Sequence, residues 1–292
     1  RSGTPGERGG EIDVTGDAIA LDDATLDASG PAGGGRIRIG GEQQGQGSLQ
    51  RARAVVVDED SEVRADATAD GDGGRVIVFA EELTSIDGRL SARGGPDGGD
   101  GGFVETSGLR RFAISTLPDV TAPAGLGGDW LIDPFNIAIV TDASIGAEDC
   151  DDGIGCLDAA VEAILDPDFD PTAFDGILRT VAPAPGEDCP GGQCGRNEVS
   201  AGLIADALAS GTNVTLSTQA FGIDPGDQAG NITIDAPIEI LAGEALAGTR
   251  AALTLLAAND ILVNERIFVG QPRFELDVIL RANDLAQDPT TG

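Results

Sequence analysis

A pair of adjacent glycines restarts a similar phrase four times in the first third of the chain: GGEIDV at Gly9, GGRIRI at Gly34, GGRVIV at Gly73 and GGFVET at Gly101. The restarts are about 25, 39 and 28 residues apart, the range of stacked structural repeats joined by loops of unequal length. One such repeat is too small to hold a core, so it must bury its apolar face against the next. Each restart opens a short alternating run. In GGRIRIGG, Ile37 and Ile39 are expected inside while Arg36 and Arg38 face solvent, the period-two signature of a half-buried strand. The Gly/Asp turns between runs fit tight turns, because Gly takes positive φ freely and Asp bonds its own backbone there.

A second phrase follows each restart: ATLDASG around Leu26, EVRADATADGDG around Val63 and GRLSARGGPDGG around Leu90. The C-terminal third continues in the same manner. Val214 and Leu216, then Ile232, Ile234, Ile238 and Ile240, and finally Leu276, Val278 and Leu280 are all expected inward. These runs are short, β-branched and strictly alternating, which excludes helices; hairpin sandwiches remain a rival, and recurrence of the whole phrase favours a solenoid. Composition agrees. With 44 Gly, one Trp, 3% aromatics and no Tyr, Met or His, the chain lacks the bulky fillers of an irregular globular core. A narrow core of stacked identical layers needs only Val, Ile, Leu and Ala. The fold class expected is all-β, a right-handed parallel β-helix with a small, partly helical, disulfide-stapled insertion.

The pattern breaks between about 141 and 200. Residues 1–140 and 201–292 read as rungs of one solenoid, and the segment between as an insertion on its side. It holds Pro-rich stretches, a helical spacing at Leu157, Val161, Ile164 and Leu165, and all four cysteines. A second helix is signalled by Ser200 as N-cap, apolar Leu203, Ile204, Ala207 and Leu208, and Gly211 beyond its end. Cys150 with Cys156, and Cys189 with Cys194, form two close pairs. Zinc is the alternative, since Cys189 and Cys194 are spaced almost like a ligand pair; the absence of His and the wider first spacing favour disulfides.

The formal charge is −32, and every one of the 18 basic residues is Arg. Such a surface repels nucleic acid and anionic membranes, makes cations the natural counter-species, and suits a saline habitat. No run of 18 apolar residues spans a membrane, and the opening RSGTPGERGG is not a signal peptide, so an export signal is expected on a longer precursor.

The phrases GGRIRIGGEQQGQGSLQRA, GDGGRVIVFAEELTSIDGRLSARGG, GGDGGFVETSG and DWLIDPFNIAIV, with LIADALASGTNVTLST, GNITIDAPI and AALTLLAANDILVNERI, resemble the β-helical shaft of filamentous-haemagglutinin-like exoproteins of the two-partner secretion type. The resemblance covers most of the chain outside 141–200. It implies a right-handed parallel β-helix, exported through an outer-membrane partner transporter to the surface of a Gram-negative bacterium. There it would serve as an adhesin or fibre touching a host or neighbouring cell. The family's N-terminal secretion domain is not recognisable. Open ends of such a rod present unpaired backbone, so head-to-tail self-association is expected.

Candidate sites are few. Clustered carboxylates at Asp70, Asp72, Asp97 and Asp100, and at Asp151 and Asp152, are hard oxygen ligands suited to weak calcium binding, although they match no calcium-loop spacing and also read as solvated turns. No cofactor is required. Without His there is no nucleophile–histidine system. Carboxylate pairs at Asp22 with Asp23 or Glu81 with Glu82 would point to opposite strand faces, which disfavours a polysaccharide-active enzyme. Trp130 and Phe135 fit packing where rod meets insertion better than carbohydrate stacking. The expected function is an extracellular structural or adhesive shaft with no catalytic site; a polysaccharide-active enzyme and a calcium-dependent adhesive module are the alternatives.

Overall fold

The structure is a computed structural model describing residues 6–142, 161, 164–165, 197–219, 229–245 and 248–283. Among the described residues it is mostly β-strand, with parallel sheets and one complete helix. The central track contains β1 (Glu11–Val14), β4 (Arg36–Ile39), β7 (Arg75–Ile86), β9 (Phe103–Gly108), β11 (Asp129–Ile132), β14 (Asn213–Ser217), β17 (Arg250–Leu256) and β20 (Glu275–Arg281), hydrogen-bonded in that order. All of these pairings are parallel. Corresponding positions in the first five strands are about 25, 39, 28 and 26 residues apart, matching the glycine restarts.

Two more tracks accompany it. The second runs through β2 (Ala18–Leu21), β5 (Ala52–Val57), the far half of the bent β7, and β10 (Arg111–Ile114). It resumes as β13 (Asn197–Ser200), β12 (Ile137–Val140), β15 (Ile232–Ile234) and β18 (Ile261–Val263), with β13 packed beside β10. The third contains β3 (Thr25–Asp27), β6 (Glu62–Arg64) and β8 (Arg89–Ser91), which Asp119 bridges, and later β16 (Ile238–Ile240) paired with β19 (Ile267–Val269). Helix α1 (Ala201–Ala209) fills the gap, packing on β16 and touching β14, β17 and β13. Ser200 caps it by accepting the Leu203 N–H at 2.9 Å and donating to the Asp142 carboxylate, and Gly211 leaves it at φ +91°.

The core is one continuous aliphatic cluster between the tracks. Ile37, Ile39, Val76, Val78, Val104, Ile132, Val214 and Leu216 enter from the central track, Val55, Val57 and Ile86 from the second, and Val63 and Leu90 from the third. Arg38 departs from expectation. Its side chain is only 12% exposed because Asp13 (2.7 Å), Glu11 (2.5 Å) and Glu42 (3.4 Å) gather around it. Val278 and Leu280 also depart: expected inside, they are 42% and 44% exposed, and Leu276 is half-buried. They lie on the outermost described strand, with no further described layer to cover them.

The repeated glycine pairs work through space more than through turn geometry. None of Gly34, Gly35, Gly73, Gly74, Gly101 and Gly102 has positive φ; the glycines of the preceding turns do, at Gly33, Gly71 and Gly99. A methyl group on Gly34, Gly73 or Gly101 would sit 1.8–2.0 Å from the carbonyl oxygen of Ala65, Ala92 or Val120 in the adjoining repeat. The second glycine of each pair closes the corner of its own repeat: Gly35, Gly74 and Gly102 donate their N–H groups to Ala28, Ala65 and Ala92 at 2.7–2.8 Å. Asp and Asn side chains complete the turns. Asp72 accepts the Asp100 N–H at 2.9 Å, Asp100 accepts the Leu126 N–H at 2.8 Å, and Asn136 accepts both Gly230 and Asn231 N–H groups.

Substituting Gly34→Ala is expected to lower unfolding stability by about 3 kcal/mol or more, since backbone must move. Gly10→Ala, with nothing within 4 Å of the added carbon, is expected to change it by less than about 0.5 kcal/mol. Equal midpoints for the two variants in chemical denaturation would contradict the close-approach account.

Candidate functional site

The central track carries a second, smaller cluster on its outer face. Alternation along β7 sends Val76 and Val78 to the main core and Ile77 and Phe79 outward, where they meet Leu109, Phe135 and half-buried Phe103. Register then places Glu105 between Ile77 and Leu131, and Ser107 beside Phe79. Asp133 follows β11, and its N–H donates to the Ser107 hydroxyl at 3.2 Å.

Residues 41–51 lie over this face. They form a loop with closed ends, Ala52 N–H donating to the Gly40 carbonyl at 2.7 Å. Inside it, a 3-10 turn at Gln43–Gly45 contains Gln44 at φ 54°. Gln44 grips both acids: its backbone N–H donates to Glu105 Oε1 at 2.8 Å and its side-chain amide to Asp133 Oδ2 at 2.9 Å. Arg75 stacks 4.2 Å from the Phe103 ring centre and donates to Gln43 Oε1 at 2.5 Å. Gly45 lies against Phe79, its missing side chain leaving room for the ring.

Glu105 and Asp133 are 0% and 1% exposed, and Glu105 Oε2 and Asp133 Oδ1 have no hydrogen-bond partner among the described residues. Burial pushes the Glu105 carboxyl up to about 8, against the Gln44 N–H, and the nearby Asp133 charge adds to the rise. Burial likewise raises Asp133 to about 6, opposed by hydrogen bonds from Ser217 and Gln44. Near neutral pH the pair therefore holds a proton, mainly on Glu105. Such a pair can donate or accept a proton, but the 41–51 loop seals it from a polymer chain in the closed arrangement.

The residues singled out in the sequence lie elsewhere. Asp70, Asp72, Asp97 and Asp100 are exposed turn residues, and the Asp72 and Asp100 carboxylates serve as backbone acceptors. Among the described residues no three carboxylate, Cys or His side chains converge as a metal site. Asp151, Asp152, Cys150, Cys156, Cys189 and Cys194 lie outside the described residues. Asp22 and Asp23 are exposed in a turn, while Glu81 and Glu82 pair separately, with Arg51 at 2.6 Å and Arg110 at 3.3 Å. Trp130 is fully buried on the core side, donating to Thr106 Oγ1 at 2.9 Å, and Phe135 is on the outer side under Arg110.

Sequence reasoning missed Glu105, Asp133 and Gln44. The available signal was RVIVF in β7, whose apolar residues do not alternate and so mark a strand covered on both faces. No protein-family model matches the chain, and no curated protein matches it.

Because the folded-state value of Glu105 is raised, its contribution to stability is fully present below the ordinary carboxylate range and is lost as pH rises through about 8. Asp133 adds a loss that is complete by about pH 6. Thermal midpoints should therefore fall as pH rises from about 5 to 8 and level off above. Glu105→Gln should flatten the upper part of that fall, and a variant as pH-sensitive as the wild type would refute the assignment.

Proposed function

We propose that this chain is a stretch of right-handed parallel β-helix serving as the structural or adhesive shaft of a filamentous-haemagglutinin-like exoprotein. In this proposal it is exported through an outer-membrane partner transporter to the surface of a Gram-negative bacterium, and the stretch has no catalytic task. The observation that carries the reading is the central track, eight strands joined only by parallel pairing, with the same glycine corner recurring at Gly35, Gly74, Gly102 and Gly128. In such an arrangement stability accumulates layer by layer, so length can grow without enlarging the core. The residues between β12 and β13 fit a lateral insertion, because β11 and β14 pair directly across it.

A polysaccharide-active enzyme is the second reading, favoured by one observation: two neighbouring carboxyl groups with different raised pKa values. Incubation with acidic and neutral glycans separates the two. A shaft releases no products, whereas turnover abolished by Glu105→Gln would replace the shaft reading with the enzyme. For a calcium-dependent module, added calcium would raise the melting temperature.

Self-association has an electrostatic condition. Stacking the outer β20 edge of one copy on the β1 edge of the next in continuing register opposes Asp277 to Glu11, with Glu275 and Asp13 at neighbouring positions of the same face. Like charges opposed across strands are destabilising, and salt screens them. Sedimentation should show discrete particles at low ionic strength and longer assemblies near 1 M salt; assemblies that dissolve on adding salt would count against end-to-end stacking.

A further inference from the structure

We propose that residues 41–51 are a pH-operated strap, closed over the outer face of the central track while Glu105 and Asp133 share a proton and lifted when both are ionised. The strap is attached at its middle, with left-handed glycine backbone on either side of the attachment. Gly40, Gly45 and Gly47 have φ values of +75°, +64° and +107°, and Gln44 itself takes a left-handed φ of 54°. That conformation is costly for a residue with a side chain and persists where contacts hold it. The contacts holding Gln44 are its two hydrogen bonds to Glu105 and Asp133.

The charged groups around the pair do not neutralise a second negative charge. Arg75, from β7, favours ionised Glu105 only weakly beside the burial that opposes it, and is held by Gln43 and the Phe103 ring. Arg110 lies over Phe135 and pairs with Glu82. At the strap's own base, Arg51 pairs with Glu81, and Arg38 pairs with Glu42, whose carboxylate also accepts the Ser48 and Leu49 N–H groups. From the later strands and the residues after them, Ser107 and Ser217 offer hydroxyl groups and Gln219 a backbone N–H, none of them charged. When both carboxyls ionise, two adjacent buried charges share the Gln44 N–H and side-chain amide, the Gln219 N–H and a few hydroxyls. Water is the available remedy, and lifting the strap admits it. Lifting also uncovers Phe79 and Ile77 while the main core on the other side of β7 stays closed.

Hydrogen exchange read by mass spectrometry, corrected for the intrinsic pH dependence of exchange, tests the strap on the whole chain. In the wild type, exchange of peptides within 41–51 should accelerate about tenfold or more between pH 6 and 8 and level off by pH 9, following loss of the proton, while peptides from β9 and β11 stay protected. Trypsin cleavage after Arg51 should rise in parallel. Glu105→Gln should keep the strap protected at pH 9. Gln44→Ala should leave it open already at pH 6, with little further change. Strap exchange that is constant from pH 6 to 9 in the wild type, or that accelerates equally in Glu105→Gln, overturns the proposal. Should either variant fail to fold, the wild-type titration alone decides between these outcomes.

Discussion

The architecture depends on how closely two backbones can approach at the glycine corner. Parallel strands stack about 4.8 Å apart, and the chain must turn from one track to the next without widening that spacing. At each corner the carbonyl of Ala65, Ala92 or Val120 occupies the space a side chain would need on the first glycine of the preceding restart, Gly34, Gly73 or Gly101. The same carbonyls accept the N–H of the second glycine in their own repeat, at Gly74, Gly102 and Gly128. One oxygen thus closes a repeat and sets its distance from the neighbour. The paired glycines recur because the contact recurs.

Once that spacing is fixed, each turn faces the same turn one repeat away, and short polar side chains reach across. Asp72 and Asp100 accept N–H groups from the following repeat, Ser29 accepts from Asp66, and Asp66 accepts from Arg93. Part of the acidic excess is therefore structural: a carboxylate needs no cation when backbone N–H groups answer it. The outer charges follow the same logic along the strands, with Glu11 and Asp13 beside Arg36 and Arg38, and Asp277 beside Arg250.

The strands and their inward residues were legible in the sequence because alternation and burial are local properties of one strand. Ile37, Ile39, Val214, Leu216, Ile232 and Ile234 all enter the core as alternation demands. Leu280 alternates equally well and is exposed, since burial also requires a neighbouring layer that its own pattern cannot supply. The helix after Ser200 was legible for the same local reason, through its cap and terminal glycine. Glu105 was not, because FVETSG reads as a strand with polar residues outward. Its burial is imposed by a loop 61 residues earlier in the chain, through the Gln44 N–H, and nothing in its own neighbourhood records that contact.

The helix shows how the stack absorbs an irregular segment. Eight strands line the central track, and the second track also has eight positions when the far half of β7 is counted and β13 is placed between β10 and β12. The third has β3, β6, β8 and the Asp119 bridge on one side and β16 and β19 on the other, leaving two positions without a strand among the described residues. An α-helix is about 10 Å across, close to two strand spacings. Helix α1 thus fits the height of two missing strands, and its buried Ala201, Ala205, Ala207 and Ala209 keep it slim enough to lie against β16. Ile204 and Leu208 carry the aliphatic core across the break. The chain can leave after β12, return at β13 one position back, and rejoin the central track at β14 without disturbing the spacing set by the glycine corners.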